Sequence, residues 1–249
     1  MTWGQQRQTY ILTGLALIVL VPTIIYLALS LYEKPTCFDG KQNAAEEGID
    51  CGGSCQLVCR EATTSINTIW SRVFEEGATV TGSALLENVN TRAIAVDVPY
   101  KFTIFRGDLE LDTAEGVVTV PPKQRIPIIA EGMTRGVQNV DYHRFEVGEP
   151  REWIYEQGET SPFLISNQVM DAEGSNPRVS ARVKNIEFDK VIKDSYFVTF
   201  IYDEFDSVIT QSTTYVKNIK PQEIVDIFFT WNVPFEREAV RFDVLELKR

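Results

Sequence analysis

The chain has 249 residues and carries 24 basic against 35 acidic side chains, which gives a formal charge of −11. Nucleic acids and anionic lipid surfaces attract basic patches, so this balance disfavours both as partners. Hydrophobic residues make up 44% of the chain, which is enough for one large core or two ordinary ones.

The first predicted element is a membrane-spanning helix over residues 10–32. No charged side chain lies between Arg7 and Glu33, and thirteen of the twenty-three residues are Leu, Ile or Val. At helical rise the segment is about 35 Å long, enough to cross a hydrocarbon core of about 30 Å. Pro22 is tolerated in such a helix. The sequence therefore predicts contact with membrane lipid through residues 10–32.

A cleaved signal peptide is the alternative interpretation of this stretch. Signal-peptide apolar regions run about 7–15 residues and end at small residues, whereas this run is longer and ends in Leu29-Ser30-Leu31-Tyr32. A retained signal-anchor is favoured. Basic residues stay on the cytoplasmic side, so Arg7 predicts a cytoplasmic stub at residues 1–9 and extracytoplasmic C-terminal domains in a single-pass cell-membrane protein.

A segment over residues 33–61 contains every cysteine of the chain. They are Cys37, Cys51, Cys55 and Cys59. An even, clustered number in an exported segment is typical of a disulfide framework, and four cysteines allow three pairings among which the sequence does not choose. A structural zinc site is the alternative, but an oxidising compartment favours disulfides.

Acidic and amide side chains of the same segment raise the alternative of a calcium site. Hard cations take carboxylate and amide oxygens, and the candidates are Asp39, Asn43, Glu47 and Asp50, with Glu46 beside them. The EF-hand order is missing, and Asp and Asn are common turn formers. No metal site and no cofactor are predicted, and calcium remains the alternative.

Beyond this segment the hydrophobic periodicity changes to two, which is typical of half-buried antiparallel strands. The pattern then recurs 97–99 residues later. Asn88 returns as Asn185 and Pro122 as Pro221, and the alternating positions Val98, Tyr100, Phe102 and Ile104 return as Tyr196, Val198, Phe200 and Tyr202. This self-similarity predicts two copies of one β-domain whose matched positions face inward.

The predicted fold is therefore mostly β, with a transmembrane helix, a small disulfide-rich segment and two tandem immunoglobulin-like antiparallel β-sandwiches. The sandwiches are placed at residues 62–157 and 158–249. Residues 131–144 are interpreted as the longest loop-like insertion of the first sandwich, either a surface hairpin or a partner-binding loop.

Two stretches carry resemblances to known families. The pattern C-x-D-G-x-x-N-x-x-E-x-G-x-D-C-G-G-x-C, over residues 37–55, resembles a cysteine-rich motif of many bacterial surface and secreted proteins. Residues 178–244 resemble FxLYD-type and water-stress β-sandwich modules, on Asn185, Tyr202-Asp203, Pro221 and the apolar strand before Trp231. The first resemblance implies a bacterial extracytoplasmic setting, and the second implies a non-catalytic interaction or spacer role.

The sequence offers little for catalysis. His143 is the single histidine and lies among polar neighbours with no nucleophile motif beside it. Trp70, Trp153 and Trp231 stand in strand-like contexts typical of core residues. The sequence predicts a non-enzymatic, membrane-anchored protein that presents two interaction modules to a protein partner in the cell envelope, as scaffold, adhesin or complex subunit. The alternative is a calcium- or small-ligand-binding surface receptor.

Overall fold

The computed structural model describes residues 3–31, 36–43, 45–76, 79–135, 139–156 and 161–248. It divides the chain into two compact units, residues 1–55 and 56–249. The first contains a single helix, α1 (Trp3–Leu31), which begins earlier than predicted because the polar residues before Tyr10 also adopt helical backbone. Its stretch Gln6–Leu27 has a mean hydropathy of 2.3, and its most apolar window is fully exposed, so the helix is long and apolar enough to span a membrane.

The cysteine-rich segment of this unit is held by a disulfide. Cys37 is bridged to Cys55 across 18 positions of sequence, and Cys51 and Cys59 are also disulfide-bonded. The prediction of disulfides is confirmed, and the zinc alternative is wrong because a bridged cysteine has no thiolate to offer. Bridges suit this segment, since its described residues form turns and bends without an extended strand or helix.

The second unit opens with a short 3-10 helix (Arg60–Ala62) and continues almost entirely in strands. The described strands are β1 (Asn67–Glu76), β2 (Thr79–Glu87), β3 (Ala93–Arg106), β4 (Leu109–Val120), β5 (Arg125–Arg135), β6 (Tyr142–Val147), β7 (Glu152–Tyr155), β8 (Phe163–Asp171), β9 (Arg178–Asn185), β10 (Ile192–Tyr202), β11 (Val208–Ile219), β12 (Ile224–Thr230) and β13 (Arg241–Leu247). All their pairings are antiparallel.

These strands build two β-sandwiches, here named module 1 (β1–β7) and module 2 (β8–β13). In module 1 the sheet β1-β2-β5 packs on the sheet β4-β3-β6, to which β7 is added through β3. In module 2 the sheet β12-β9-β8 packs on the sheet β11-β10-β13. The two modules share one strand order, and the predicted fold class is confirmed.

A buried asparagine ties the two sheets of module 1 together. Asn88, at the end of β2, donates from Nδ2 to the carbonyl oxygens of Ala93 (2.8 Å) and Val120 (2.9 Å). Its Oδ1 accepts from the backbone N–H of Asn90 at 3.0 Å. One side chain thus satisfies three backbone groups at a sheet edge that water does not reach.

Module 2 repeats the arrangement at Asn185. Its Nδ2 donates to the carbonyl oxygens of Lys190 (2.9 Å) and Ile219 (3.0 Å), and its Oδ1 accepts from the N–H of Glu187 at 2.9 Å. The asparagines that the repeat aligned therefore make equivalent contacts, and both are completely buried.

The inward-facing positions assigned to β10 are wrong. Phe197 and Ile201 face the core of module 2, while Val198, Phe200 and Tyr202 belong to a separate apolar cluster on the opposite face of the strand. β10 is apolar on both faces, so alternation could not fix its register.

Of the insertion assigned to residues 131–144, the structure describes 131–135 and 139–144, and most of these residues are strand; 136–138 lie outside the described residues. β5 continues to Arg135 and β6 begins at Tyr142, so the loop interpretation is wrong for both ends of the segment. Polar side chains on a strand exposed along one face resemble a loop in sequence.

We expect Asn185→Ala to lower the free energy of unfolding by about 1–3 kcal/mol, because it leaves buried carbonyl groups without a donor. Urea denaturation of the detergent-solubilised chain, followed by tryptophan fluorescence, measures this change. Asn218→Ala, at an exposed position of β11, is the matched control and should stay within about 0.5 kcal/mol. Equal effects of the two substitutions on the free energy of unfolding would contradict the structural role assigned to the Asn185 side chain.

Candidate functional site: the cleft between the modules

The outer face of β1-β2-β5 in module 1 packs against the outer face of β11-β10-β13 in module 2. The contact is an apolar cluster of Leu85, Val198, Phe200, Tyr202, Val208 and Leu247, with Trp70, Phe74, Ile129, Tyr196 and Leu245 packed around it. The indole of Trp70 meets the ring of Phe200 edge-on at 4.7 Å between centroids. Complete burial of one such side chain stabilises by about 1.5–3 kcal/mol, so the cluster holds the two modules as one body.

A polar contact lies in the same interface. Ser83 Oγ on β2 donates to Gln211 Oε1 on β11 at 2.6 Å, and both residues are buried. Beside it the guanidinium of Arg241 lies 3.7 Å from the ring centroid of Tyr202. Burial, with the nearby Asp243 carboxylate, raises the pKa of Tyr202 to about 12, so its hydroxyl is neutral at physiological pH.

A cleft of about 740 Å³ opens beside this interface, a volume within the range of ligand sites, which often occur at domain boundaries. One wall is formed by residues 72–75 of β1, with Thr81, Ile129 and Glu131 from the same sheet. The other wall is formed by residues 209–213 of β11 and residues 231–236 after β12.

Two different surfaces line the cleft, one polar and one aromatic. The indole N–H of Trp231 donates to Thr210 Oγ1 at 3.0 Å, and the ring of Phe235 meets the indole edge-on at 5.0 Å. The ionisable lining residues are Arg72, Glu75, Glu131 and Glu236, and the Glu75 carboxylate already accepts from the backbone N–H groups of Asn139 (3.2 Å) and Val140 (3.0 Å). The lining therefore favours a ligand that offers apolar groups together with positive charge.

Both strands at the walls are edge strands. Within the described residues β1 pairs only with β2, and β11 pairs only with β10. Consecutive residues of both strands, 72–75 and 209–213, line the cleft. An unpaired strand edge is a template for a further strand, which makes the cleft suited to binding an extended chain.

The predicted calcium candidates serve a different purpose. The Asp50 carboxylate accepts from the N–H groups of Asp39 (3.0 Å) and Gly40 (3.1 Å). The Asp39 carboxylate accepts from Asn43 Nδ2 at 2.9 Å, and that hydrogen bond, together with contacts from backbone N–H groups, holds the pKa of Asp39 below its usual value. These hydrogen bonds connect distant parts of the loop that contains Asp39 and Asp50.

Hydrogen bonds link three of the four candidates, Asp39, Asn43 and Asp50. Among the described residues, the one group of three acidic, cysteine or histidine side chains with converging atoms is Cys37, Glu46 and Cys55. Two of its members form the disulfide, so this group offers a single carboxylate. Glu47 lies against Gly52 instead.

His143 lies on β6 and bridges the two sheets of module 1. Its Nε2 is 3.0 Å from Ser71 Oγ on β1, and its ring stacks on Phe102 at 5.2 Å. Partial burial lowers the pKa of His143, so the imidazole is neutral at pH 7. A serine and a neutral histidine at this distance resemble two members of a catalytic triad, which also requires an acidic side chain on the other ring nitrogen.

The three predicted core tryptophans have three different environments. Trp153 is buried in the core of module 1, Trp70 lies in the interface between the modules, and Trp231 lines the cleft. Sequence reasoning missed the cleft because its walls come from strands far apart in sequence, β1 and β11 being separated by more than 130 positions. The nearly continuous apolar run of β10 was the one available sequence signal for the contact between the modules.

Comparison of the chain with models of known protein families and with curated protein sequences found no match.

We expect Phe200→Ala to destabilise the chain by about 3–5 kcal/mol, because it opens a cavity in the interface and removes the partner of Trp70. Urea denaturation is the measurement, and wild type should unfold in a single transition because the modules share a core. Phe205→Ala is the control, since Phe205 is 77% exposed. Two separate transitions, of which Phe200→Ala shifts only the one that belongs to module 2, would contradict a shared interface.

The imidazole of His143 should titrate below pH 6.5, because burial disfavours its charged form. The chain has one histidine, so a single Cε1 proton resonance in an NMR titration reports it. The folded state binds fewer protons than the unfolded state between the two pKa values, so the free energy of unfolding should fall as pH drops below about 6.5. A midpoint at or above 6.5 would refute this.

Millimolar calcium should leave the melting temperature of the detergent-solubilised chain unchanged. A ligand that binds only the folded state raises stability, and the carboxylates of Asp39 and Asp50 already accept backbone hydrogen bonds. Differential scanning fluorimetry with calcium, with magnesium and with EDTA is the measurement. A rise specific to calcium would restore the receptor alternative.

Proposed function

We propose that the chain is a non-enzymatic, single-pass membrane protein that presents a rigid two-module body to a protein partner in a bacterial cell envelope. The N-terminal stub lies in the cytoplasm, residues 10–32 are retained in the lipid as a signal-anchor, and the disulfide-stapled segment and both modules lie outside.

One observation supports this location above the others. A helix with the length and hydropathy of a membrane span is followed, within a few residues, by a bridge between Cys37 and Cys55. Disulfides persist in oxidising compartments and are rare in the cytosol. The charge asymmetry across the helix, with Arg7 before it and an acidic chain after it, agrees with the same orientation.

The binding role rests on the interface between the modules. Two sandwiches joined by a flexible linker would move independently, whereas burial of Phe200 and Leu85 fixes their relative position. A fixed pair of modules presents a composite surface that neither module has alone, and the cleft is part of it. The half-buried Ser71–His143 pair serves module 1 as a link between sheets rather than as a nucleophile.

Two measurements on cells that express the chain natively test this proposal. Protease added to intact spheroplasts should degrade residues 36–248 while a cytosolic marker survives, and an alkylating reagent should label no cysteine until a reductant is added. After mild solubilisation and amine crosslinking, a partner should copurify at a fixed stoichiometry.

The intact chain in the cytosolic fraction with four alkylatable thiols would overturn the location. A correctly located chain that never yields a stoichiometric partner would leave the location standing and remove the binding role.

A further inference from the structure

We propose that the cleft between the modules binds an extended segment of a partner protein, which adds a strand to the free edge of β1 and carries at least one basic side chain. The inference rests on the proposed function and specifies the surface that performs it.

The edge of β1 is the favoured docking line. Residues 72–75 line the cleft consecutively, and at about 3.3 Å per residue they offer a main-chain edge about 13 Å long. Within the described residues, β1 pairs with β2 on one side and with no strand on the other. In an antiparallel pair every second residue turns its N–H and C=O away from the partner strand, and an extended peptide would satisfy those groups, as happens when a peptide extends an exposed sheet.

The opposite wall is less available for strand addition. On β11, Thr210 Oγ1 (3.0 Å) and the carbonyl oxygen of Gln211 (3.3 Å) share the indole N–H of Trp231. The segment 231–236 therefore flanks the edge of β11 and faces β1 across the cleft. Its role is to contact side chains of the bound segment.

The side chains of that segment would alternate between two environments. Those that point to module 2 meet Trp231, Phe235 and the exposed Val233 (66% exposed), which suit apolar groups. The carboxylate of Glu236 is exposed at the end of the 231–236 segment. Carboxylates at the rim favour a lysine or arginine in the partner and make binding weaken with salt.

Selection of random heptapeptides on the full-length chain in lipid nanodiscs tests the inference. The peptides enriched should alternate apolar residues with residues of any type and include a basic residue. On binding, amides within residues 72–75 should become protected from hydrogen exchange. If no peptide is enriched, or if the amides that become protected lie only outside residues 72–75, the proposal is overturned. A small molecule that binds the chain without displacing a selected peptide would not restore it.

Two pairs of variants locate the binding. Glu236→Lys, in the cleft, should weaken a selected basic peptide at least threefold at low salt, while Glu238→Lys, an exposed acid outside the cleft with the same charge change, should leave binding unchanged. Thr213→Trp should block the cleft and weaken binding at least tenfold, whereas Asn218→Trp on the same strand should not. Equal affinity across either pair would overturn the proposal.

The same variants separate this inference from the proposed function. If Thr213→Trp and wild type capture an envelope partner equally well, the protein is an interaction module that uses another surface. If neither captures a partner, the binding role itself fails.

Discussion

The double burial of β10 is the constraint on which the second unit depends. One face of this strand closes the core of module 2 with Phe197 and Ile201, and the other presses Val198 and Phe200 onto module 1. β2 has the equivalent position in module 1: Ala84 and Leu86 face the core of that module, and Leu85 faces module 2. Each strand therefore contributes to two cores at once.

The repeat shows which features of the fold are fixed by local chemistry. Asn88 and Asn185 stand 97 positions apart and make the same three kinds of contact. Lys123 and Gln222, after the matched prolines, both adopt positive φ. The two asparagines are fixed by buried backbone groups that must be paired, and the two positive-φ residues by the geometry of the turn, so both features occur in both copies.

Much of the fold could be predicted from the sequence, for physical reasons that differ among elements. The apolar run around Leu20 and the clustered cysteines are dense local signals, and the β-periodicity of strands such as β3 with one solvated face was sufficient for a sandwich. The register of β10 was not predictable, because a strand buried on both sides loses its alternation. The candidate site was not predictable either, since no single stretch records that β1 and β11 are edges of facing sheets.

The shared core also has a consequence for how the polypeptide matures. Ribosomes deliver module 1 first, and Trp70 and Leu85 then lie on its surface until residues 192–247 have been made. Contacts between parts of the chain so distant in sequence form slowly, and an exposed apolar sheet face is prone to adhere to other chains in the interval. The nascent protein therefore passes through an aggregation-prone intermediate in which only module 1 is complete. A chaperone that covers the exposed sheet face until synthesis ends would increase the yield of folded protein.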